Sequence, residues 1–216
     1  MIALVSDVHC NESVLKVAKL SKVIVSSGDW DFCPSDFFRK VSEAFDAVYT
    51  IHGNNDDIDK LEKYFYLIRD GEVVNVRGIK VGGVNGIISP KGTPNKKGVP
   101  RKKPEEFLKW ALAIKGKVDL YLTHEVPFLP SFFGRIWKNE ATLSALRALV
   151  EVRPKVALIG HLHAFKCKIG NYGETRLVHV DTSVGGFALL RDIKEIECGE
   201  GVEPGSGGPE PRILGR

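Results

Sequence analysis

Short β-branched runs alternating with helix-length amphipathic stretches limit what this chain can fold into more than any other feature. The runs at 2–6, 22–26 and 47–51 are largely apolar along their length, the pattern of strands buried on both faces. Between the first two, 12–20 carries Val14, Val17 and Ala18 on one stripe; between the next two, 34–44 opens on Pro34, whose fixed φ suits a helix start. A β-α-β-α-β opening follows, so the first sheet is expected to be largely parallel with right-handed crossovers.

Downstream, 72–76 and 78–84 read as a hairpin pair. A helix opens at Pro104, with Glu105 and Glu106 in its first turn and Phe107, Leu108, Ala111 and Leu112 along it. A strand at 118–123, a helix at 139–152 capped by Asn139 with Leu143, Leu146 and Leu149 on one face, and a strand at 155–159 come next. The segments at 164–169, 175–181 and 186–191 read as antiparallel strands of a second sheet. The domain is expected to span 1–195 and to be followed by a flexible tail at 196–216. From Gly199 onward nine of 18 residues are Gly or Pro, too little apolar surface to offset the entropy of ordering.

A chain of 216 residues with 43% hydrophobic and 27% charged residues suits one globular domain and excludes a disordered or fibrous one. It has no apolar run of about 18 residues and no signal-peptide pattern at its start, so no membrane insertion is expected and the compartment is read as cytoplasmic. Cys10, Cys33, Cys167 and Cys198 lie too far apart for a metal clip and are too few for a disulfide scaffold, so reduced thiols are expected. The net charge of +4 permits phosphate-bearing partners without pointing to nucleic acid. The absence of glutamine and the single methionine hint at a thermophilic source, against which the four cysteines pull.

Five of the expected strands run directly into residues able to do chemistry, at the carboxyl ends where open α/β sheets place their ligands. They deliver Asp7-Val8-His9, Gly28-Asp29, Gly53-Asn54-Asn55-Asp56, His124, and Gly160-His161-Leu162-His163. Any one of these groups has an ordinary explanation as a turn, a helix cap or a core histidine. Together they bring four of the six histidines and, beside Asp56, the two aspartates Asp7 and Asp29 to one edge of the fold.

In chain order the pattern Asp-x-His, Gly-Asp, Gly-Asn-x-Asp, His, Gly-His-x-His resembles the calcineurin-like metallophosphoesterase superfamily across residues 7–163, its small single-domain phosphodiesterases above all. The resemblance implies an α/β fold of two mixed β-sheets packed as a sandwich and flanked by helices. It also implies a centre of two divalent transition-metal ions, with Mn the first expectation and Fe, Ni, Co or Zn the others. Asp7, His9 and His163 match the ligands of one metal, Asn54, His124 and His161 those of the second, and Asp29 the bridge between them. The implied reaction is hydrolysis of a phosphate ester by a metal-bridging hydroxide. Imidazoles, carboxylates and an amide oxygen do suit such borderline metals better than calcium, and two divalent ions outweigh two carboxylates to leave a site positive toward phosphate.

Many phosphomonoesterases of the superfamily have a histidine where this chain has Asn55. Asparagine cannot protonate a leaving group but can donate to a phosphate oxygen, which favours esters with good leaving groups or another proton source, for which His52 is the candidate. Asp56 reads as the cap of the following helix or as an orienting partner of Asn54 or His9, and His179 as structural or on the rim. The stretch 91–103 holds Lys91, Lys96, Lys97, Arg101, Lys102 and Lys103 with no acid, a solvated loop or a phosphate-facing one; Lys96 and Lys97 are its substrate-binding candidates. The aromatic segment 127–137 suits a substrate-facing wall or a contact with a second copy. The leading reading is a phosphodiesterase acting on a small molecule or a nucleic-acid end. The competing ones are a nuclease and a non-catalytic scaffold of the same fold.

Overall fold

Alternation along each strand sets the layers. In β1 (Ile2–Val5) all four residues are buried, Ile2 and Leu4 in one apolar cluster and Ala3 and Val5 in another. The structure, a computed structural model, describes residues 1–199. After β1 come a 3-10 helix (Glu12–Lys19), β2 (Val23–Ser26), α1 (Ser35–Ala44), β3 (Ala47–Thr50), α2 (Ile58–Tyr64), β4 (Tyr66–Leu67), β5 (Val74–Val76) and β6 (Ile79–Val84). The second half holds α3 (Pro104–Ala113), β7 (Leu120–Thr123), α4 (Pro130–Phe133), α5 (Glu140–Val152), β8 (Val156–Ile159), β9 (Cys167–Tyr172), β10 (Thr175–Val180), a 3-10 turn (Thr182–Val184), β11 (Ala188–Leu190) and β12 (Ile196–Cys198).

Two six-stranded sheets result, ordered β12-β11-β1-β2-β3-β4 and β5-β6-β7-β8-β10-β9. β1 to β4 run parallel in the first, and β6, β7, β8 and β10 in the second; the antiparallel pairings lie at β11, β12, β5 and β9. Ile2, Leu4, Val23 and Val25 of one sheet share a core with Leu120, Leu122, Val156, Leu158 and Val178 of the other. On the outer faces, Phe37, Phe38 and Val41 of α1 and Leu61 of α2 cover the first sheet. Phe107 and Ala111 of α3 and Ala148, Leu149 and Val152 of α5 cover the second. This is the helix-flanked sandwich of two mixed sheets expected above. No helix among the described residues is long and apolar enough to cross a membrane.

Four local expectations are corrected. The late segments do not form an antiparallel sheet of their own: β10 lies parallel to β8, β9 is its antiparallel edge, and β11 crosses over to pair antiparallel with β1 in the first sheet. The stripe at 12–20 folds as a 3-10 helix, still burying Val14 and Val17. The buried face of α5 is Thr142, Ala145, Ala148, Leu149 and Val152, and Leu143 is exposed; small residues there let α5 seat closely on its neighbours. Ile196–Cys198 forms the edge strand β12, so the ordered chain runs past residue 195, and the remaining expected tail, 200–216, lies outside the described residues.

The cysteines are a fifth correction, since the expected free thiols are two disulfides, Cys10–Cys33 and Cys167–Cys198. Cys167 lies on β9 and Cys198 on β12, so this bridge joins an edge of one sheet to an edge of the other. With partners 23 and 31 residues apart, loop closure predicts about 3 kcal/mol of stabilisation from each bridge. Reduction is therefore expected to lower the melting temperature by roughly 10 °C per bridge. Calorimetry with and without a dithiol reductant checks this, and an unchanged melting temperature would mean that neither bridge stabilises the fold.

Candidate metal centre

The carboxyl ends of β1, β2 and β3 in one sheet and of β7 and β8 in the other meet at one edge of the sandwich. Beyond these ends the backbone leaves the β region sharply. Six of the eight non-glycine residues with positive φ among the described residues lie here: Asp7, His9, Cys10, Asp29, Asp31 and His161. Such conformations cost energy and persist only where the surroundings over-determine them. Two glycines admit the crowding: a Cβ on Gly53 would collide with the Asp29 carboxylate and lie 2.8 Å from His124 Cε1, and one on Gly160 would meet Ser6 Oγ and His124 Nδ1.

Two triads form there. Ligand atoms of Asp7, His9 and His163 all lie within 4.8 Å of one another, as do those of Asp29, His124 and His161. Asp29, a member of the second group, also faces the first, its Oδ2 being 3.3 Å from His124 Nε2 and 3.8 Å from His9 Nε2. Asn54 Oδ1 is 3.1 Å from His124 Nε2. The structure thus brings together all seven residues singled out as ligands. His9 Nε2 is buried with no hydrogen-bond partner. An orphaned imidazole nitrogen among carboxylate oxygens suits a divalent cation, so the donor set fits the metals that the resemblance implies.

The histidines are aimed by what holds their other nitrogens. His163 Nδ1 meets Asp181 Oδ2 at 2.7 Å, His9 Nδ1 meets Asp31 Oδ2 at 3.3 Å, and His124 Nδ1 donates to the Ser27 carbonyl at 2.9 Å. Neither Asp31 nor the carbonyl of Ser27 is marked as a partner by any motif, and Asp181 stands out in the sequence only as a neighbour of His179. Asp56 is not the expected helix cap, a role that Asp57 takes. The Asp56 carboxylate accepts from the backbone N–H of Gly53 (2.6 Å), Asp29 (2.9 Å), Trp30 (2.6 Å) and Asp31 (3.3 Å).

Electrostatics follow from burying this much charge. Burial and the neighbouring Asp29 push Asp56 up to about 6. Burial would pull His124 down, but the Asp29, Asp7 and Asp56 carboxylates hold it at about 10. Asp29 lies well below the usual carboxylate range, because His124 and the Asn55 donors outweigh its burial. Without metal, the cluster gathers protons on His124, His9 and His163 to balance its carboxylates, while burial holds His161 at about 4.

Asn55 donates from its backbone N–H to Asp29 Oδ1 at 2.8 Å and from Nδ2 to Asp29 Oδ2 at 3.0 Å. Lys97 and Lys96 of the basic loop are both exposed, and Lys97 places its Nζ 3.1 Å from Asn55 Oδ1 and 3.4 Å from Asp31 Oδ1. From the same loop Asn95, which no sequence pattern singles out, donates to the Asn54 carbonyl at 2.6 Å. His52 is buried, with Nδ1 2.8 Å from the Gly53 carbonyl, and burial holds it at about 4. A neutral ring donating from Nδ1 carries no proton on Nε2. His179 is buried, its Nδ1 on the Ile159 carbonyl and its edges against Phe133 and Phe165. Phe132 and Phe133 sit in the core beneath the second sheet, while Trp137 is 83% exposed.

Comparison with known proteins follows the same lines. No curated protein matches the chain. Among solved structures it is similar to the protein TT1561 of Thermus thermophilus, at 21% identity and a TM-score of 0.64, covering 92% of this chain and 97% of that one. It is also similar to a phosphopantetheinyl hydrolase of Mycobacterium tuberculosis, at 12% identity and a TM-score of 0.54, with 84% and 90% covered. For an NAD nucleotidase of Haemophilus influenzae the identity is 11% and the TM-score 0.51, with 87% of this chain and 46% of that one covered. At such identities these likenesses concern the fold. The family model for the calcineurin-like phosphoesterase superfamily domain, however, matches residues 1–180. With most of its length matched in this way, the chain belongs to the calcineurin-like phosphoesterase superfamily.

Proposed function

We propose that this member of the superfamily is a phosphodiesterase with a dinuclear centre. The observation that carries the reading is Asp29, a member of the second triad whose carboxylate also faces His9 of the first. Asp7, His9 and His163 would hold one divalent ion, Asn54, His124 and His161 the other, with Asp29 shared; Mn is the first metal to try. When bound, such ions supply Lewis acidity toward a phosphoryl oxygen and acidify water.

The chain's own residues do the rest. Asn55 Nδ2–H lies at the Asp29 edge, where it can donate to a non-bridging phosphate oxygen, and the Lys97 ammonium beside it can neutralise that oxygen. Contacts with Asp31 and Asp181 keep His9 and His163 oriented. His52, neutral and bonded to Gly53, leaves the leaving-group proton to solvent. Replacing His52 by Ala is accordingly expected to slow aryl and alkyl diesters by the same factor, and a greater loss on the alkyl ester would restore it as an acid.

Cytoplasmic residence remains the proposed compartment. Disulfides are rare there except in hyperthermophiles, so the two bridges join the missing glutamine as signs of such a source. The direct test uses metal-stripped protein resupplied singly with Mn, Ni, Co, Zn or Mg and offered bis-p-nitrophenyl phosphate or p-nitrophenyl phosphate. Restored cleavage favouring the diester, lost in His161→Ala, is the expected result. Stoichiometric metal binding without hydrolysis would favour the scaffold reading.

A further inference from the structure

Phe32 stands out on the rim of this centre. Its chain neighbours are held firmly: Trp30 and Cys33 are 0% exposed, whereas the Phe32 side chain belongs to a residue 42% exposed. The turn that carries it is tethered throughout. The backbone N–H groups of Asp29, Trp30 and Asp31 reach Asp56, Phe32 N–H donates to Asp31 Oδ1 at 2.8 Å, Trp30 Nε1 donates to Thr50 Oγ1 at 3.1 Å, and Cys33 is bonded to Cys10. An isolated exposed aromatic is ordinary. One carried in the open on a turn held this firmly, with little backbone entropy left to lose, is a platform suited to a flat ligand.

A second observation links the ring to the reacting position. Lys97 Nζ lies 5.3 Å from the Phe32 ring centroid and 3.1 Å from Asn55 Oδ1, and Asn55 Nδ2 donates to Asp29 Oδ2. Ring, ammonium, amide and central carboxylate form one continuous chain of contacts. A phosphate seated over Asp29 and Asn55 would meet Lys97 with one oxygen, and a planar substituent on that phosphate would find the Phe32 face beyond it. We propose that Phe32 and Lys97 form a subsite for the flat aromatic group carried by a phosphodiester substrate. The proposal rests on the phosphodiesterase reading and narrows its substrates to diesters with a nucleobase or aryl group.

Two diesters with the same leaving group test it: bis-p-nitrophenyl phosphate and methyl p-nitrophenyl phosphate, which differ only in the group that stays. With metal-loaded protein, kcat/KM is expected to favour the bis-aryl ester by about tenfold, the scale of one stacked ring. Phe32→Ala should lower that ratio several-fold, toward the factor of about two set by the two equivalent leaving groups of the bis-aryl ester, and Phe32→Trp should keep it. Thymidine 5′-p-nitrophenyl phosphate is the third arm: a Phe32-dependent preference for it identifies a nucleobase, and one confined to the bis-aryl ester an aryl group. A ratio unchanged in Phe32→Ala, or an equal loss on both esters, would reduce Phe32 to an anchor for the Lys97 loop and overturn the proposal while leaving the phosphodiesterase reading intact. No hydrolysis of any ester by the parent protein would sink both.

Discussion

Replacing Asp29 by Ala is expected to lower kcat/KM on a phosphodiester by roughly 10³-fold or more, about 4 kcal/mol of transition-state stabilisation. Asp29 Oδ2 lies within 4 Å of Nε2 of both His9 and His124, at 3.8 and 3.3 Å, so its loss strips a shared negative charge from both halves of the centre at once. It also removes the acceptor of both Asn55 donors, at 2.8 and 3.0 Å, which sets the amide adrift, while Lys97 keeps Asp31 Oδ1 at 3.4 Å. Asp29→Asn keeps the shape and loses the charge, so it should retain part of the metal affinity. Steady-state kinetics beside metal content read this out, and Asp29→Ala with parental kcat/KM would show that the centre is not where the chemistry occurs.

The second large effect belongs to a residue that need touch no substrate. Asp56→Ala leaves the backbone donors of Gly53, Asp29 and Trp30 without their acceptor, in a place where Asp56 itself is 1% exposed. Each buried group left unpaired costs about 1–3 kcal/mol, so a loss of roughly 3–5 kcal/mol in stability is expected. Because those donors set the turns that carry Asp29 and Asn54, metal affinity should fall about 10- to 100-fold as well. Asp56→Asn retains one acceptor oxygen and should fall between the two. Denaturant unfolding gives the first quantity and metal titration of the folded fraction the second; parental values of both would mean that Asp56 positions nothing.

What the sequence could reveal depended on whether a feature was local. The ligand residues stand out because each follows an apolar run, and parallel strands leave their ends on one edge whatever their order. The partners of those residues are not local. Asp31 acts on His9 across 22 residues and Asp181 on His163 across 18, and nothing in either neighbourhood announces it. The disulfides escaped for the same reason, since Cys167 and Cys198 meet only because edge strands of different sheets meet. β11 reads as one more late strand, yet its antiparallel register with β1, Ile2 opposite Leu190, is a tertiary choice. Within α5 a leucine-based stripe misled, because packing favoured the smaller Ala145 and Ala148 and turned Leu143 outward. His52 drew notice by its position before Gly53, whereas its tautomer depends on a carbonyl that only the fold brings round.

The dinuclear centre stands or falls on the number of metal ions the cluster takes up. Metal-stripped protein should be titrated with Mn at fixed pH, following heat, proton release and diester cleavage together. Two equivalents per chain are expected, with protons released on binding, because His124, His9 and His163 hold them in the metal-free cluster. Cleavage should appear as the second equivalent binds. Saturation at one equivalent, or full hydrolysis by protein holding none, would contradict the dinuclear centre on which the rest is built.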